Sequence, residues 1–229
     1  MNILIACEES QTVCKEFRKK GHTAFSCDII NCSGGHPEWH IKNNVIPLLN
    51  GNCSFTTCDN KEHYIDKWDL IIAHPPCTYL CLSGQKHCNE KIFGEKAIER
   101  KKERDKAIEF FMKIVKADCE KICIENPVGV MTKYYKKPTQ YIRPCQFGHP
   151  TGKRTGLWLK NLEPLKPTKI VDIEYHTSST GRKWDKWFWD SSMISDLNER
   201  SKFRSKTFQG IAEAMAEQWG TSNRKKYLK

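Results

Sequence analysis

Asp69-Leu-Ile-Ile-Ala-His-Pro-Pro-Cys-Thr-Tyr-Leu-Cys-Leu-Ser-Gly84 is the stretch around which the chain is organised. Its first five residues form an apolar run that is too short for a helix and predicts a buried strand. Pro75 and Pro76 have no N–H group to donate to a sheet, so the strand has to end there. Cys77 is then the first reactive side chain of a loop at the carboxyl end of a strand, where α/β sheets bind ligands. Such a thiol is a candidate nucleophile if its pKa is lowered, and an incidental loop cysteine otherwise.

Length and composition limit the class of protein. The 229 residues are enough for one sizeable α/β domain, and the net charge of +11 favours a polyanionic partner or a phosphorylated substrate. There is no apolar run of the roughly 18 residues that a membrane span needs, and no signal peptide. We therefore expect a cytoplasmic protein without membrane contact, whose twelve cysteines are reduced thiols rather than disulfides.

A zinc site is the alternative use of the cysteines. Two groups of side chains could supply the ligands, namely Cys27, Cys32, His36 and His40, or Cys77, Cys81 and Cys88. Neither group has the paired Cys-x-x-Cys spacing of a structural zinc site. The sequence therefore predicts no bound metal.

The chain opens with a predicted β-α-β unit. Residues 2–6 are an apolar run typical of a central parallel strand, and Ser10 is positioned to cap a helix that Gly21 ends. Residues 23–27 form the second strand, which closes on Asp28. In nucleoside sites, an acid at this strand end accepts hydrogen bonds from ribose hydroxyls. A turn or helix-capping role is the alternative for Asp28.

A second proline-terminated strand spans residues 121–127. It brings Glu125 and Asn126 to the carboxyl edge that also carries Cys77. The sequence therefore predicts that a carboxyl group, an amide and a thiol share one edge of the sheet.

We expect one domain over residues 1–220, with a hairpin inserted at 52–66 and a basic tail at 221–229. Residues 160–204 contain prolines, aromatics and charges without a clear period, and predict an irregular segment. The tryptophans in this segment can stack on bases or form a local hydrophobic cluster, and the cluster is favoured.

Taken in order, these elements resemble the cytosine-C5 DNA methyltransferases, and more closely small phage-encoded DNA cytosine methylase-like proteins that lack a target-recognition domain. Pro75-Pro76-Cys77 matches the nucleophile motif, Glu125-Asn126 matches the base-contacting motif, and Asp28 matches the acid of the second strand. The resemblance implies an α/β, Rossmann-like S-adenosylmethionine-dependent methyltransferase fold, with a mostly parallel sheet in a single domain. The segment 160–204 then stands where the family has its recognition domain.

The resemblance also implies the residues of the site. It gives catalytic roles to Cys77, Glu125, Asn126 and, through a looser match at Lys153-Arg154, to Arg154. It assigns S-adenosylmethionine to Cys7, Glu8, Glu9, Ser10, Asp28, Ile29, Asn44, His74 and Pro76. In this chemistry the Cys77 thiolate adds to C6 of cytosine so that C5 becomes nucleophilic, and Glu125 holds a proton against N3. We expect the thiolate to form near neutral pH because its surroundings are basic.

Methyl transfer to C5 of cytosine in DNA is therefore the predicted function, with little sequence preference because the large recognition domain is missing. One alternative is a related transferase that acts on a free cytosine nucleotide or uses a modified donor. The turn at residues 7–10 favours this alternative, because it lacks the glycines that let the family approach its cofactor closely. Another alternative is a catalytically degenerate protein that binds a nucleotide or nucleic acid.

Overall fold

The structure is a computed structural model that describes residues 1–221. Almost all of the predicted basic tail therefore lies outside the described residues. The strands are β1 (Asn2–Ala6), β2 (Thr23–Asp28), β3 (His40–Lys42), β4 (Cys53–Thr56), β5 (Glu62–Ile65), β6 (Leu70–Ala73), β7 (Lys121–Pro127), β8 (Gln140–Ile142), β9 (Thr155–Lys160), β10 (Tyr175–Thr177) and β11 (Lys183–Asp185). The α-helices are α1 (Thr12–Lys19), α2 (Leu82–Gln85), α3 (Glu90–Phe93), α4 (Glu95–Val115), α5 (Met131–Tyr134), α6 (Lys186–Ser192), α7 (Leu197–Ser205) and α8 (Gln209–Trp219).

Seven strands form the main sheet in the order β3-β2-β1-β6-β7-β9-β8. β1 pairs in parallel with β2 and β6, and β6 pairs in parallel with β7. β9 is antiparallel to both of its neighbours. The mostly parallel, Rossmann-like sheet that the sequence predicts is therefore confirmed. β4 and β5 form a separate antiparallel hairpin ahead of β6.

The central strand β1 shows why the sheet is covered on both faces. Ile3 and Ile5 pack on the side of α1 and α8, in contact with a cluster that includes Met215. Leu4 belongs to the cluster on the other side, together with Phe111 of α4. Because successive side chains point to opposite faces, a strand between two helical layers needs apolar residues at each buried position, as this one has from Ile3 to Ala6.

The helix α1 is not capped as predicted. It begins at Thr12, and the Ser10 hydroxyl bonds to the hydroxyl of that threonine (3.0 Å) instead of capping the helix. The Glu8 carboxylate accepts hydrogen bonds from the N–H groups of Val13 (2.6 Å) and Cys14 (3.2 Å). A carboxylate binds two orphan N–H groups at once and complements the positive end of the helix dipole, which a serine hydroxyl cannot do.

The prediction that residues 160–204 are irregular fits residues 161–174, which lie between β9 and β10 and contain no helix or strand, but not the rest of the segment. The hairpin β10–β11 and the helices α6 and α7 occupy most of this segment, and we call residues 175–205 the aromatic module. Its strands have only three residues each, too few for an alternation to be recognised in the sequence. Asp185 attaches the module to the main domain, because its carboxylate accepts hydrogen bonds from Thr151 Oγ1 (2.9 Å) and the Gly152 N–H (2.7 Å).

None of the helices within residues 1–221 is long and apolar enough to cross a membrane.

We expect Gly210→Ala to destabilise the fold. A Cβ atom at Gly210 would lie 1.9 Å from the carbonyl oxygen of Phe147, so α8 would have to move away from the loop that carries Phe147, at a cost of roughly 1–3 kcal/mol. Helix propensity alone predicts the opposite sign, a gain of about 1 kcal/mol. Chemical denaturation measures the difference. Glu213→Ala, at an exposed position of the same helix, is the control and should change stability by less than about 0.5 kcal/mol. A stabilised Gly210→Ala variant would contradict this packing.

Candidate functional site

The register of the central strands aligns their carboxyl ends. Ala6 of β1 lies opposite Cys27 of β2 and opposite Ala73 of β6. Ala73 in turn lies opposite Ile124 of β7. The residues that follow these positions therefore share one edge of the sheet.

Asp28, Cys7, His74 and Glu125 form a row along this edge, in that order. Because neighbouring strands are about 4.8 Å apart, the row spans roughly 14 Å. The row crosses from β1 to β6, where the order of the strands reverses and where open α/β sheets bind their ligands. Its length can accommodate a nucleoside at one end and a second ring at the other.

A cavity of about 260 Å³ opens at the end of the row that carries Asp28. Five of the residues assigned to the cofactor line it, namely Cys7, Asp28, Ile29, Asn44 and Pro76, together with Cys27, Asn43, Val45 and Phe110. Sequence reasoning missed Phe110, since it lies on α4 far from any motif. Burial raises the pKa of Asp28, and a hydrogen bond from the N–H group of Ile30 partly offsets this rise. The cavity combines a carboxylate that can accept from hydroxyls with apolar walls that suit a planar ring.

The other residues assigned to the cofactor lie outside the lining of this cavity. Glu8 and Ser10 are engaged at the start of α1, as described above. Glu9 has a buried carboxylate oxygen, Oε2, without a hydrogen-bond partner among residues 1–221, and its charge contributes to the raised pKa of Asp28. His74 makes an ion pair on the far side of the row.

Two residues of the turn between β1 and α1 have a left-handed backbone conformation, although the turn contains no glycine. Cys7 and Gln11 have φ angles of 60° and 58°, a conformation that costs a non-glycine residue about 1–2 kcal/mol. The side chain of Gln11 helps to hold this shape, because it exchanges hydrogen bonds with the backbone N–H (3.0 Å) and C=O (2.8 Å) of His36. Strain of this kind is commonly found at binding sites.

Asn126 supports the loop that carries Cys77. It is 1% exposed, and its Nδ2 group donates a hydrogen bond to the Pro75 carbonyl (2.8 Å). The loops after β6 and β7 are also joined by a hydrogen bond from the Val130 N–H to the Leu80 carbonyl (2.8 Å). The structure thus uses Asn126 to position the Pro-Pro-Cys loop, whereas the sequence predicted a contact with a base.

The pKa of Cys77 is not low, contrary to the prediction. Burial raises it to about 11, with further contributions from the charges of Cys81 and Glu125. Lys153 acts in the opposite direction but does not outweigh them. In the free protein at neutral pH, the side chain is therefore a thiol, because partial burial raises its pKa by more than the positive charge of Lys153 lowers it.

Glu125 is paired with His74. The distance between Glu125 Oε2 and His74 Nδ1 is 3.0 Å, and the two side chains are 19% and 9% exposed. Burial alone would raise the pKa of Glu125, but the hydrogen bond and charge of His74, with a smaller effect of Lys153, bring it below the ordinary value. Glu125 is therefore a carboxylate in the free protein.

Lys153, and not Arg154, carries the positive charge of the site. Its charge acts on the pKa values of Cys77, His74 and Glu125. The Arg154 guanidinium lies on the exposed side, 3.8 Å from the ring centre of Tyr141. Neighbouring residues in an extended segment point in opposite directions. Lys153 therefore faces the site and Arg154 faces away, one residue from the position that the loose sequence match gave.

The zinc alternative finds no support in the geometry. Among residues 1–221, no three His, Cys, Asp or Glu side chains converge in an arrangement that could hold a metal ion.

No protein-family model and no curated protein matches this chain. Among solved structures it is similar to a prophage-encoded protein from E. coli described as a DNA modification methyltransferase, with a TM-score of 0.42 and 13% sequence identity. The similarity covers 76% of this chain and 52% of that protein, so the chain spans about half the length of its neighbour.

We expect Cys77 to react slowly with iodoacetamide at pH 7, and about tenfold faster for each pH unit up to its pKa, because only the thiolate attacks. Lys153→Met should slow the reaction several-fold at pH 8, since it removes the charge that lowers the pKa of Cys77. Peptide mass mapping measures the rate at this residue. Lys160→Met, at an exposed position near the end of β9, is the control. A rate that is already maximal at pH 7 would contradict the raised pKa.

Proposed function

We propose that the chain transfers a methyl group from S-adenosylmethionine to carbon 5 of cytosine through a covalent adduct at Cys77. The observation that carries the proposal is the row at the sheet edge: a nucleoside-sized cavity opens at its Asp28 end, the paired carboxylate of Glu125 forms the other end, and Cys77 lies on the adjoining loop after β6. The fold is compatible with it: counted within the main sheet, the strands have the order 3-2-1-4-5-7-6 with the seventh reversed, as in Rossmann-like methyltransferases. Since fold does not determine function, the proposal depends on the site.

The residues around the cavity fit the adenosine part of S-adenosylmethionine. Asp28 offers a carboxylate to ribose hydroxyls, and Phe110, Pro76 and Ile29 offer apolar surface to the adenine ring. The unpartnered Oε2 of Glu9 is an acceptor of the kind that an ammonium group needs. When bound, the cofactor supplies an electrophilic methyl group on a sulfonium.

Each side chain at the other end of the row has a distinct role. Cys77 Sγ loses its proton to water and bonds to C6 of the base, which makes C5 nucleophilic. Lys153 stabilises the thiolate and the negative charge that develops on the ring. Glu125 in its acid form donates a proton to N3. The proton on Glu125 also removes a negative charge that opposes ionisation of Cys77.

DNA is the proposed substrate because Lys153 connects this end of the row with the cations and aromatic rings of the aromatic module. Lys153 Nζ lies 5.3 Å from the ring centre of Trp187 in the aromatic module and donates to the Arg204 carbonyl (2.7 Å). Farther out, the Arg182 guanidinium stacks on the half-exposed Trp184 at 4.0 Å. Such surfaces bind phosphates and unstacked bases with little sequence preference. The target base has to leave the stack to reach Cys77.

We expect S-adenosylmethionine and S-adenosylhomocysteine to bind in calorimetry with the folded protein. Asp28→Ala should weaken both by about tenfold or more, the scale of one charge-assisted hydrogen bond. Asp172→Ala, a carboxylate outside the cavity, serves as the control and should bind normally. Unchanged affinity of the Asp28→Ala variant would contradict the assigned pocket.

The chemical step can be tested with DNA that contains 5-fluorocytosine. When fluorine replaces the hydrogen at C5, no proton can leave C5 after methyl transfer and the adduct cannot break down. We therefore expect a trapped protein–DNA adduct that depends on the methyl donor and maps to Cys77. Cys77→Ser should abolish the adduct, and Glu125→Gln should slow its formation by about 10²-fold. Cys88→Ser, which alters a cysteine that does not affect the pKa of Cys77, should trap normally. A Cys77→Ser variant that still methylates cytosine would refute the covalent mechanism.

A further inference from the structure

His74 is the centre of a buried group of charged side chains. Its backbone N–H donates to the Ala6 carbonyl (2.9 Å), which fixes the residue between β1 and β7. Its Nδ1 atom is 3.0 Å from Glu125 Oε2. Its Nε2 atom is buried and has no hydrogen-bond partner among residues 1–221. The Glu125 carboxylate is therefore the group that decides the protonation of this imidazole.

Charged groups face His74 from each element around it. Glu125 approaches from β7, Glu8 from the loop after β1 and Lys153 from the segment before β9, while Cys77 lies on its own loop. Burial lowers the pKa of His74, but the hydrogen bond and charge of Glu125, with the charge of Glu8, outweigh burial and the opposing Lys153, so the net pKa is raised. The pair therefore favours an imidazolium beside a carboxylate.

This resting state conflicts with what the proposed reaction requires. Glu125 has to donate a proton to N3, yet in the free protein it carries none. Water has little access to a pair that is 9% and 19% exposed. Glu125 accepts a hydrogen bond from His74 at 3.0 Å and another from the side chain of Thr155. An imidazolium is far more acidic than a hydroxyl, so the available proton is on Nδ1.

We infer that His74 is the proton reserve of Glu125, an inference that rests on the proposed function. In the first step the Nδ1–H bond breaks and an O–H bond forms at Glu125 Oε2, which leaves a neutral imidazole and a neutral acid. The carboxyl group then turns about its terminal torsion, which is soft in glutamate. In the second step the O–H bond breaks, an N3–H bond forms on the base and Glu125 is again a carboxylate. His74 is a positioning residue that acts through Glu125, in place of the cofactor contact predicted from the sequence.

A measurement that needs no activity tests the resting state. In long-range ¹H–¹⁵N NMR spectra of the ¹⁵N-labelled full chain, the His74 imidazole should carry protons on both nitrogens above pH 7. In Glu125→Gln this protonation should require a pH at least one unit lower, because the partner charge is gone. His74→Asn identifies the signals, and Cys77→Ser is the control in which the pair is intact. A His74 ring that is neutral at pH 7 in the wild-type chain would overturn the inference, whether or not the protein methylates DNA.

The pH profile of adduct trapping separates a proton reserve from a merely structural role. In His74→Asn, the amide can still donate a hydrogen bond to Glu125 but has no proton to transfer. We expect trapping at pH 8 to be about 10²-fold slower than in the wild type. The ratio of the two rates, taken at the same pH so that ionisation of Cys77 cancels, should recover about tenfold per unit as the pH falls and solvent protonates Glu125. His36→Asn, a surface histidine paired with Glu38, should have the wild-type profile.

The outcomes distinguish the two hypotheses. If His74→Asn has the wild-type profile, the reserve is refuted and the proposed function stands. If the wild-type chain forms no adduct and methylates nothing while His74 is an imidazolium, the proposed function is refuted. The proton on His74 then has no reaction to supply, and the inference is refuted as well.

Discussion

The site depends on the abrupt end of β6 at two prolines. Pro75 and Pro76 have no N–H groups to continue the hydrogen bonds of the sheet, so the chain leaves the sheet after β6, between the longer strands β1 and β7. Asn126 stabilises this departure through its hydrogen bond to the Pro75 carbonyl. The residue before the prolines, His74, thereby stays in register with Glu125, and the residue after them, Cys77, is free to face the same space. A strand that continued would place these side chains on alternating faces.

Low solvent access couples the charges in this space. His74, Glu125 and Lys153 each change the pKa of at least one other member of a group that also includes Cys77, and burial opposes the charged forms of Cys77, His74 and Glu125. The thiol is consequently weak in the free protein, and the carboxyl group is ionised. Both have to change protonation state for a covalent mechanism, and each change favours the other. A bound base that excludes water would strengthen this coupling, since the same charges interact more strongly in a lower dielectric.

The sequence predicted the sheet and its edge well, because strand ends are marked locally. An apolar run followed by proline locates the end of a parallel strand, and strand order then brings Asp28 and Glu125 to one edge. Side-chain directions were predicted less well. Nothing local indicates that Lys153 and not Arg154 turns inward, that Glu8 caps α1, or that His74 binds a carboxylate. The partners of Glu8 are only five and six positions away, but the outcomes for Lys153 and His74 depend on burial and on partners more than fifty positions away.

The position and identity of the methylated atom test the central claim most directly. DNA is incubated with the protein and S-adenosylmethionine that carries a trideuterated methyl group, then digested to nucleosides and analysed by mass spectrometry. The account predicts that the label is on carbon 5 of deoxycytidine, and that the Cys77→Ser protein transfers none. A label on an exocyclic amino group of cytosine or adenine would contradict it, because a nitrogen attacks the methyl group without a thiolate adduct.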